Sequence, residues 1–95
     1  MLAKSAINVK LNSRHRRTLQ SVFAEPVDGN IDWSRIETLL RALGCNVLEG
    51  AGSSITVEMS GVRAHFHRPH PGRAALRYRV KDTREFLRRI GVEPQ

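Results

Sequence analysis

The chain has 95 residues, which is enough for one domain and too few for a second of ordinary size. Its 40% apolar and 26% charged composition is that of a globular protein, and no apolar run approaches the roughly 20 residues that cross a bilayer. Sixteen lysines and arginines against nine acidic residues give a net charge of +7, which favours a polyanionic partner: nucleic acid, an acidic protein or an anionic membrane surface.

The excess charge is concentrated in one stretch. Residues 63–89 contain nine basic residues and only two acidic ones, whereas residues 26–58 are acidic on balance. A chain with this asymmetry is suited to present one face to a phosphate backbone.

Cys45 is the only cysteine, which excludes a disulfide framework and a Cys-based zinc site. A lone thiol suits the reducing cytoplasm, and the first residues are too few and too weakly apolar for a signal peptide. We therefore expect a cytoplasmic protein.

In chain order, residues 1–12 show no hydrophobic period, and we expect a flexible N-terminal extension there. A single domain over residues 13–95 follows. Asn12 offers an N-cap for a first helix over residues 14–24, whose apolar residues form one stripe.

A second helix is predicted over residues 32–43, where apolar residues recur at helical spacing. Ser34 and Glu37 have the spacing of a capping box, and Gly44 supplies a left-handed stop at the C-terminal end.

The hydrophobic period then changes from helix to strand. Residues 45–49 form a short predicted strand, and residues 54–59 and 62–67 alternate between apolar and polar side chains. Because only Ser60-Gly61 separates the last two runs, they are predicted to form a hairpin.

After the hairpin, Pro69 and Pro71 exclude a central strand. The pattern Asp82-x-x-Glu85 opens a predicted last helix, which stops at Gly91. The element order is therefore α-α-β-β-β-α, an α+β fold with helices on one face of a three-stranded antiparallel sheet.

A two-residue loop fixes the register of the hairpin, so the facing residues can be predicted. The apolar residues of both runs face the helices, and the polar residues form an outward face that the loop extends with Arg68 and His70. The predicted outward pairs are Ser54 with His67, Thr56 with His65, and Glu58 with Arg63.

Three interpretations of His65, His67 and His70 are open. They are compatible with ordinary polar residues on the solvent face of a half-buried sheet. They also have the residue type of a zinc site, but four arginines nearby and the lack of a close carboxylate oppose a cation, so we predict no metal and no cofactor. The third interpretation is metal-free RNA cleavage, in which imidazoles of pKa about 6.5 exchange protons and arginines stabilise the phosphorane-like transition state.

Four features follow one another between residues 36 and 92: LLRALG (residues 39–44), Gly52-Ser53-Ser54, HRPHPG (residues 67–72) and REFLRRIG (residues 84–91). Their order and spacing resemble those of the HicA family of toxins. The resemblance implies a compact fold like that of the double-stranded-RNA-binding domain.

The resemblance implies an mRNA interferase, an RNA endonuclease held inactive by a HicB-type antitoxin. Ser54 occupies the position of the family's catalytic histidine, and serine cannot act as a base near neutral pH. Because His67 is predicted to lie opposite Ser54, we hypothesise that His67 has taken over proton transfer, with Ser54 orienting it or a phosphate oxygen and His70 as the loop histidine. The residues expected to bind RNA are Arg63, His65, Arg68, Arg73, Arg77, Arg79 and Arg84.

Two other functions are compatible with the sequence: a non-catalytic RNA-binding module, and an interaction protein whose basic face receives an acidic antitoxin or oligomer partner. Only 5% of the residues are aromatic, so there are few platforms for base stacking, and we expect RNA to be recognised by shape and charge. The expected partners are RNA and a HicB-type antitoxin and not a membrane; the oligomeric state stays open.

Overall fold

A computed structural model describes residues 10–94 of the chain. These residues form three helices and one antiparallel sheet in the predicted order, α-α-β-β-β-α. The helices are α1 (Ser13–Val22), α2 (Trp33–Ala42) and α3 (Arg77–Arg89), and the strands are β1 (Asn46–Glu49), β2 (Ser54–Met59) and β3 (Val62–His67).

Side-chain caps begin the first two helices. Asn12 Oδ1 accepts a hydrogen bond from the His15 N–H at 2.8 Å, which confirms the predicted cap of α1. Asp32 caps α2, because its carboxylate accepts hydrogen bonds from the backbone N–H and the hydroxyl of Ser34 at 2.9 and 2.8 Å. The predicted capping box is therefore wrong: Ser34 lies inside the helix, and Glu37 binds other partners.

The strands lie in the order β1-β2-β3, with β2 in the centre. Ser60 and Gly61 join β2 to β3 with φ angles of 53° and 79°, as in the type I′ turn that matches the twist of a hairpin. The predicted register of β2 with β3 is confirmed in every pair, including Ser54 with His67.

The core lies between the helices and the inward face of the sheet. Ile55, Val57 and Phe66 are only 1%, 0% and 3% exposed, and they alternate with the polar residues of the same strands. The Trp33 ring of α2 packs on Phe66 with 5.1 Å between ring centroids. This packing fixes the sheet with its polar face outward.

The last helix begins earlier than predicted, at Arg77 and not at Asp82. Leu76 precedes it with a φ of 72° and no side-chain cap, and its N–H donates to the Gly29 carbonyl at 2.9 Å. A tertiary hydrogen bond therefore helps to fix this helix start, which a search for capping residues cannot find. The predicted stop at Gly91 is confirmed, with a φ of 86°.

Most of the expected N-terminal extension, residues 1–9, lies outside the described residues. In the remainder, Leu11 is buried in the core and Asn12 caps α1, so the folded part begins no later than residue 11. Between residues 10 and 94, every helix is too short or too polar to pass through a membrane.

Candidate functional site on the open sheet face

Two cross-strand pairs on the outward face combine a hydroxyl with an imidazole. Thr56 Oγ1 lies 2.8 Å from Nδ1 of His65, so a hydrogen bond positions that ring. Ser54 lies opposite His67 at the end of the hairpin, and neither of these side chains has a hydrogen-bond partner between residues 10 and 94. The His67 ring is exposed and is therefore available to a ligand.

The turn before β2 makes room for the Ser54 hydroxyl. A Cβ atom at residue 50 would collide with Ser54 Oγ, so a residue other than glycine there would force the Ser54 hydroxyl to move from this position. The Gly50 N–H donates to the Ser54 carbonyl at 2.8 Å, and the Ser54 N–H donates to the Ala51 carbonyl at 3.1 Å. These two bonds fix the position of Ser54 at the start of its strand.

His70 is exposed in the loop after β3. The first residue of this loop, Arg68, donates its N–H to the Ser53 carbonyl at 2.9 Å, so the loop begins beside the start of β2. The predicted catalytic residues Ser54, His67 and His70 therefore lie toward the same end of the sheet.

The Arg68 side chain binds two carboxylates. Its guanidinium donates two hydrogen bonds to Glu37, at 2.9 and 2.8 Å, and two to Glu49, each at 2.8 Å. Hydrogen bonding to Arg68 lowers the pKa of Glu37 to about 2, although burial opposes the shift, and also lowers the pKa of Glu49. Since two carboxylates already occupy this guanidinium, we leave Arg68 out of the proposed RNA interface.

Two more arginines of the basic stretch have buried side chains. Arg79 donates from Nε to the His67 carbonyl at 2.6 Å and from Nη1 to the Ala75 carbonyl at 3.1 Å. Arg84 donates to two carbonyl oxygens at and just beyond the end of α1, each at 3.0 Å, and to the Glu25 carboxylate at 2.5 Å. Both arginines hold elements of the fold together, so they too are left out of the interface.

The remaining arginines that were expected to bind RNA are exposed. Arg63 Nε donates to Glu58 at 3.0 Å, but the Arg63 side chain is 64% exposed. Arg73 and Arg77 are exposed and form no salt bridge with any residue in the range 10–94. These three cations, with His65, are available to a phosphate backbone.

A second basic surface lies outside the stretch that the sequence singled out. A groove of about 470 Å³ between α1 and α2 is lined by Arg14, Arg17 and Arg35 with His15, and the described residues that line it include no acidic one. Because Arg14 and Arg17 are three residues apart on one predicted helix, the sequence could have indicated that they lie side by side on this surface. The contribution of Arg35 from α2 becomes apparent only when the two helices pack.

Neither metal nor thiol chemistry is indicated for the described part of the chain. Residues 10–94 contain no group of three or more His, Cys, Asp or Glu side chains placed to hold a metal ion. Burial raises the pKa of the Cys45 thiol to about 11, so this group is protonated and unreactive at neutral pH.

Comparisons with protein-family models, curated proteins and solved structures found no match for this chain. The resemblance to the HicA family therefore still rests on the features of the sequence itself. A function must follow from the chemistry that the site offers.

Proposed function

We propose that this protein is an RNA-cleaving toxin of the HicAB type, which binds RNA through the open face of its sheet and cuts it without a metal ion. The observation that carries the proposal is the register that places Ser54 opposite the exposed His67, with His70 toward the same end. The toxin role and RNA as the substrate are inferred from the HicA resemblance. The metal-free cleavage chemistry is inferred from the hydroxyl and imidazole groups of these residues.

The proposed reaction is an internal transesterification of RNA. His67 removes the proton from a 2′-hydroxyl, the 2′ oxygen attacks the adjacent phosphorus, and the bond from phosphorus to the 5′ oxygen of the next nucleotide breaks. His70, as imidazolium, gives a proton to that leaving oxygen, so the products carry a 2′,3′-cyclic phosphate and a 5′-hydroxyl. The sequence also suggested that Ser54 orients His67, but the two side chains are not hydrogen-bonded, so the role left for the Ser54 hydroxyl is to bind a phosphate oxygen. Arg73 stabilises the added negative charge.

The exposed cations supply the binding part of this function. Arg63, His65, Arg73 and Arg77 are exposed on the outward sheet face, in the loop after it or at the start of α3. A HicB-type antitoxin is the proposed protein partner; an acidic surface on it would inhibit the toxin by covering the same cations.

One observation favours a second candidate, a non-catalytic RNA-binding module. Between residues 10 and 94, neither the His67 nor the His70 ring forms a hydrogen bond or an ion pair that would orient it. An imidazole without an orienting partner is a less effective general base, and Ser54 replaces the histidine that the family uses.

RNA cleavage by purified protein in the presence of a chelator separates the two candidates. We expect cleavage that leaves 2′,3′-cyclic phosphate ends, and a rate that falls by roughly 10²- to 10⁴-fold in the His67→Ala variant. His65→Ala is the matched control, because it removes the neighbouring imidazole that Thr56 already binds, and we expect it to alter RNA affinity more than the cleavage step.

The Ser54→His variant completes the design, since it restores the residue type that the family uses. RNA that is bound but left intact by both the wild-type protein and Ser54→His would support the non-catalytic module. Absence of RNA binding would exclude both candidates.

A further inference from the structure

Two exposed apolar side chains lie beside the loop that carries His70. Leu76 and Tyr78 are 49% and 56% exposed, and Leu48 on the open sheet face is the third large apolar side chain exposed to this degree among residues 10–94. Leu76 and Tyr78 line a cavity of about 280 Å³ together with His70 and Pro69. Exposed apolar groups gathered around one cavity are typical of a binding site.

The Tyr78 ring is held by a fixed cation. The Arg79 guanidinium lies 4.8 Å from the ring centroid, within the range of a cation–π interaction. Hydrogen bonds to the His67 and Ala75 carbonyls fix that guanidinium in turn. The tyrosine is therefore a positioned aromatic platform with more than half of its surface open to solvent.

The backbone at Leu76 is strained in a way that exposes this side chain. Its φ of 72° lies in the left-handed region, where a bulky residue is rarely found. The N–H of Leu76 donates to the Gly29 carbonyl, and this bond holds the conformation. Such strain concentrates at functional sites, which supports a ligand role for the cavity.

The surroundings of the cavity are cationic. Arg77 is exposed between the two apolar residues, and Arg73 lines a neighbouring cavity of about 250 Å³ that shares Pro69 with the first. Asp32 also lines the neighbouring cavity, but its carboxylate already accepts two hydrogen bonds from a serine and lies near Arg73. A ligand that fits both cavities has a flat apolar part and an anionic part.

We infer that the cavity binds an unpaired nucleobase of RNA, stacked on Tyr78 and in contact with Leu76. This inference rests on the proposed function and deepens it, because it selects single-stranded over duplex RNA. A nucleobase here places its phosphate beside Arg73 or Arg77, and its ribose near His70. The low aromatic content of the chain had favoured recognition by shape and charge, but one exposed ring is enough to bind one base.

Nuclear magnetic resonance tests the site directly, because Tyr78 is the only tyrosine in the chain. We expect the Tyr78 ring protons to shift upfield when adenosine 5′-monophosphate is added to the full chain. Ribose 5-phosphate, which lacks the base, is the control and is expected to leave these signals in place. Equal shifts with both ligands would overturn the inference.

RNA affinity provides the second measurement, with a ten-nucleotide single strand and a duplex of the same length as probes. We expect Tyr78→Ala to weaken single-strand binding by roughly tenfold or more and to leave duplex binding nearly unchanged. Tyr78→Phe keeps the ring and is expected to retain most of the affinity. Because Tyr78 is exposed, both variants are expected to fold, and circular dichroism checks this.

The outcomes distinguish this inference from the proposed function. If the protein binds RNA but Tyr78→Ala loses no preference for the single strand, the nucleobase site is wrong and the RNA function stands. If the wild-type protein binds no RNA while adenosine monophosphate still shifts the Tyr78 signals, the nucleobase site stands and the toxin proposal fails.

Discussion

The Arg68 guanidinium connects the loop of the candidate site to the rest of the molecule. It binds Glu37 of α2 and Glu49 of β1 at the same time. Since Arg68 is also the first residue of the loop that carries His70, these bonds fix the point where the loop leaves the sheet. Arg68, which the sequence suggested as an RNA contact, thus positions the loop of the candidate site through its two carboxylate partners.

We expect Arg68→Met to lower the free energy of unfolding at pH 7 by about 1–2 kcal/mol, as measured by urea denaturation. The value is modest because the Arg68 side chain is 31% exposed and Glu37 keeps hydrogen bonds from Trp33 and Arg41. Arg63→Met is the matched control, since it breaks an exposed pair and is expected to change stability by less than about 0.5 kcal/mol. Equal losses in the two variants would contradict this account.

The stability of the wild-type protein and of Arg68→Met is also compared in acid. The folded-state pKa of Glu37, about 2, lies below the ordinary value of 4.5, so its ionised form contributes stability above about pH 4.5 that is lost as the pH falls toward 2. We expect the wild-type protein to lose more free energy of unfolding across this window than Arg68→Met. Parallel pH profiles would show that the Glu37–Arg68 pair is not the cause.

At the scale of single residues, the sequence predicts local relations well and distant ones poorly. Ser54 and His67 could be paired because a two-residue turn determines the register between them. The role of Arg84 could not be predicted, because its partner Val22 is 62 residues away in the chain. Arginine is seldom buried, so its residue type alone suggests an exposed cation.

At the scale of elements, Arg84 connects α3 to the end of α1. We expect Arg84→Ala to lower the free energy of unfolding by about 2–3 kcal/mol, because it leaves two carbonyls and a carboxylate without their donor and removes a buried stem. Denaturant unfolding checks this value. Arg89 on the same helix is exposed, and Arg89→Ala is expected to change stability by less than about 0.5 kcal/mol. A small loss in Arg84→Ala, with RNA affinity reduced, would instead return Arg84 to the RNA interface.

The hairpin and the start of α3 show why some elements follow from sequence and others do not. The hairpin could be predicted because two residues, Ser60 and Gly61, separate its alternating strands. In the structure these residues adopt the positive φ angles that a type I′ turn needs. The start of α3 has no such local sequence pattern, because Leu76 is a poor N-cap residue. Its conformation is fixed by a hydrogen bond from its N–H to the Gly29 carbonyl. Acidic residues inside the helix resemble a start, which moved the predicted boundary too far along the chain.

At the scale of the whole molecule, three cavities adjoin one another through shared residues. The basic groove between α1 and α2 shares Ser34 with the cavity of Arg73, and that cavity shares Pro69 and Gly72 with the cavity of Tyr78. Exposed arginines accompany this path along its length. A single RNA strand with one base on Tyr78 could therefore place its later phosphates in the α1–α2 groove.

This path predicts a dependence of RNA binding on salt and on strand length. Each phosphate that a cation neutralises on a single strand contributes about −0.7 to the slope of log K against log salt. We expect the double variant Arg14→Gln/Arg17→Gln to reduce the steepness of that slope by about 1.4 for a ten-nucleotide strand and to leave a dinucleotide unaffected, because the short ligand ends before the groove.

Arg89→Gln is the control for net charge. Arg89 lies 12 residues beyond Arg77 in α3, roughly 18 Å along the helix axis. The Arg89→Gln variant removes a positive charge from a residue that lines none of the three cavities, so we expect it to leave the slope nearly unchanged for both strand lengths. If Arg14→Gln/Arg17→Gln and Arg89→Gln alter the slope equally per charge, RNA is attracted by the overall charge of +7 and follows no defined path. If the double variant weakens binding of the dinucleotide as much as binding of the longer strand, even the short ligand contacts the groove. RNA binding would then not begin with a base on Tyr78.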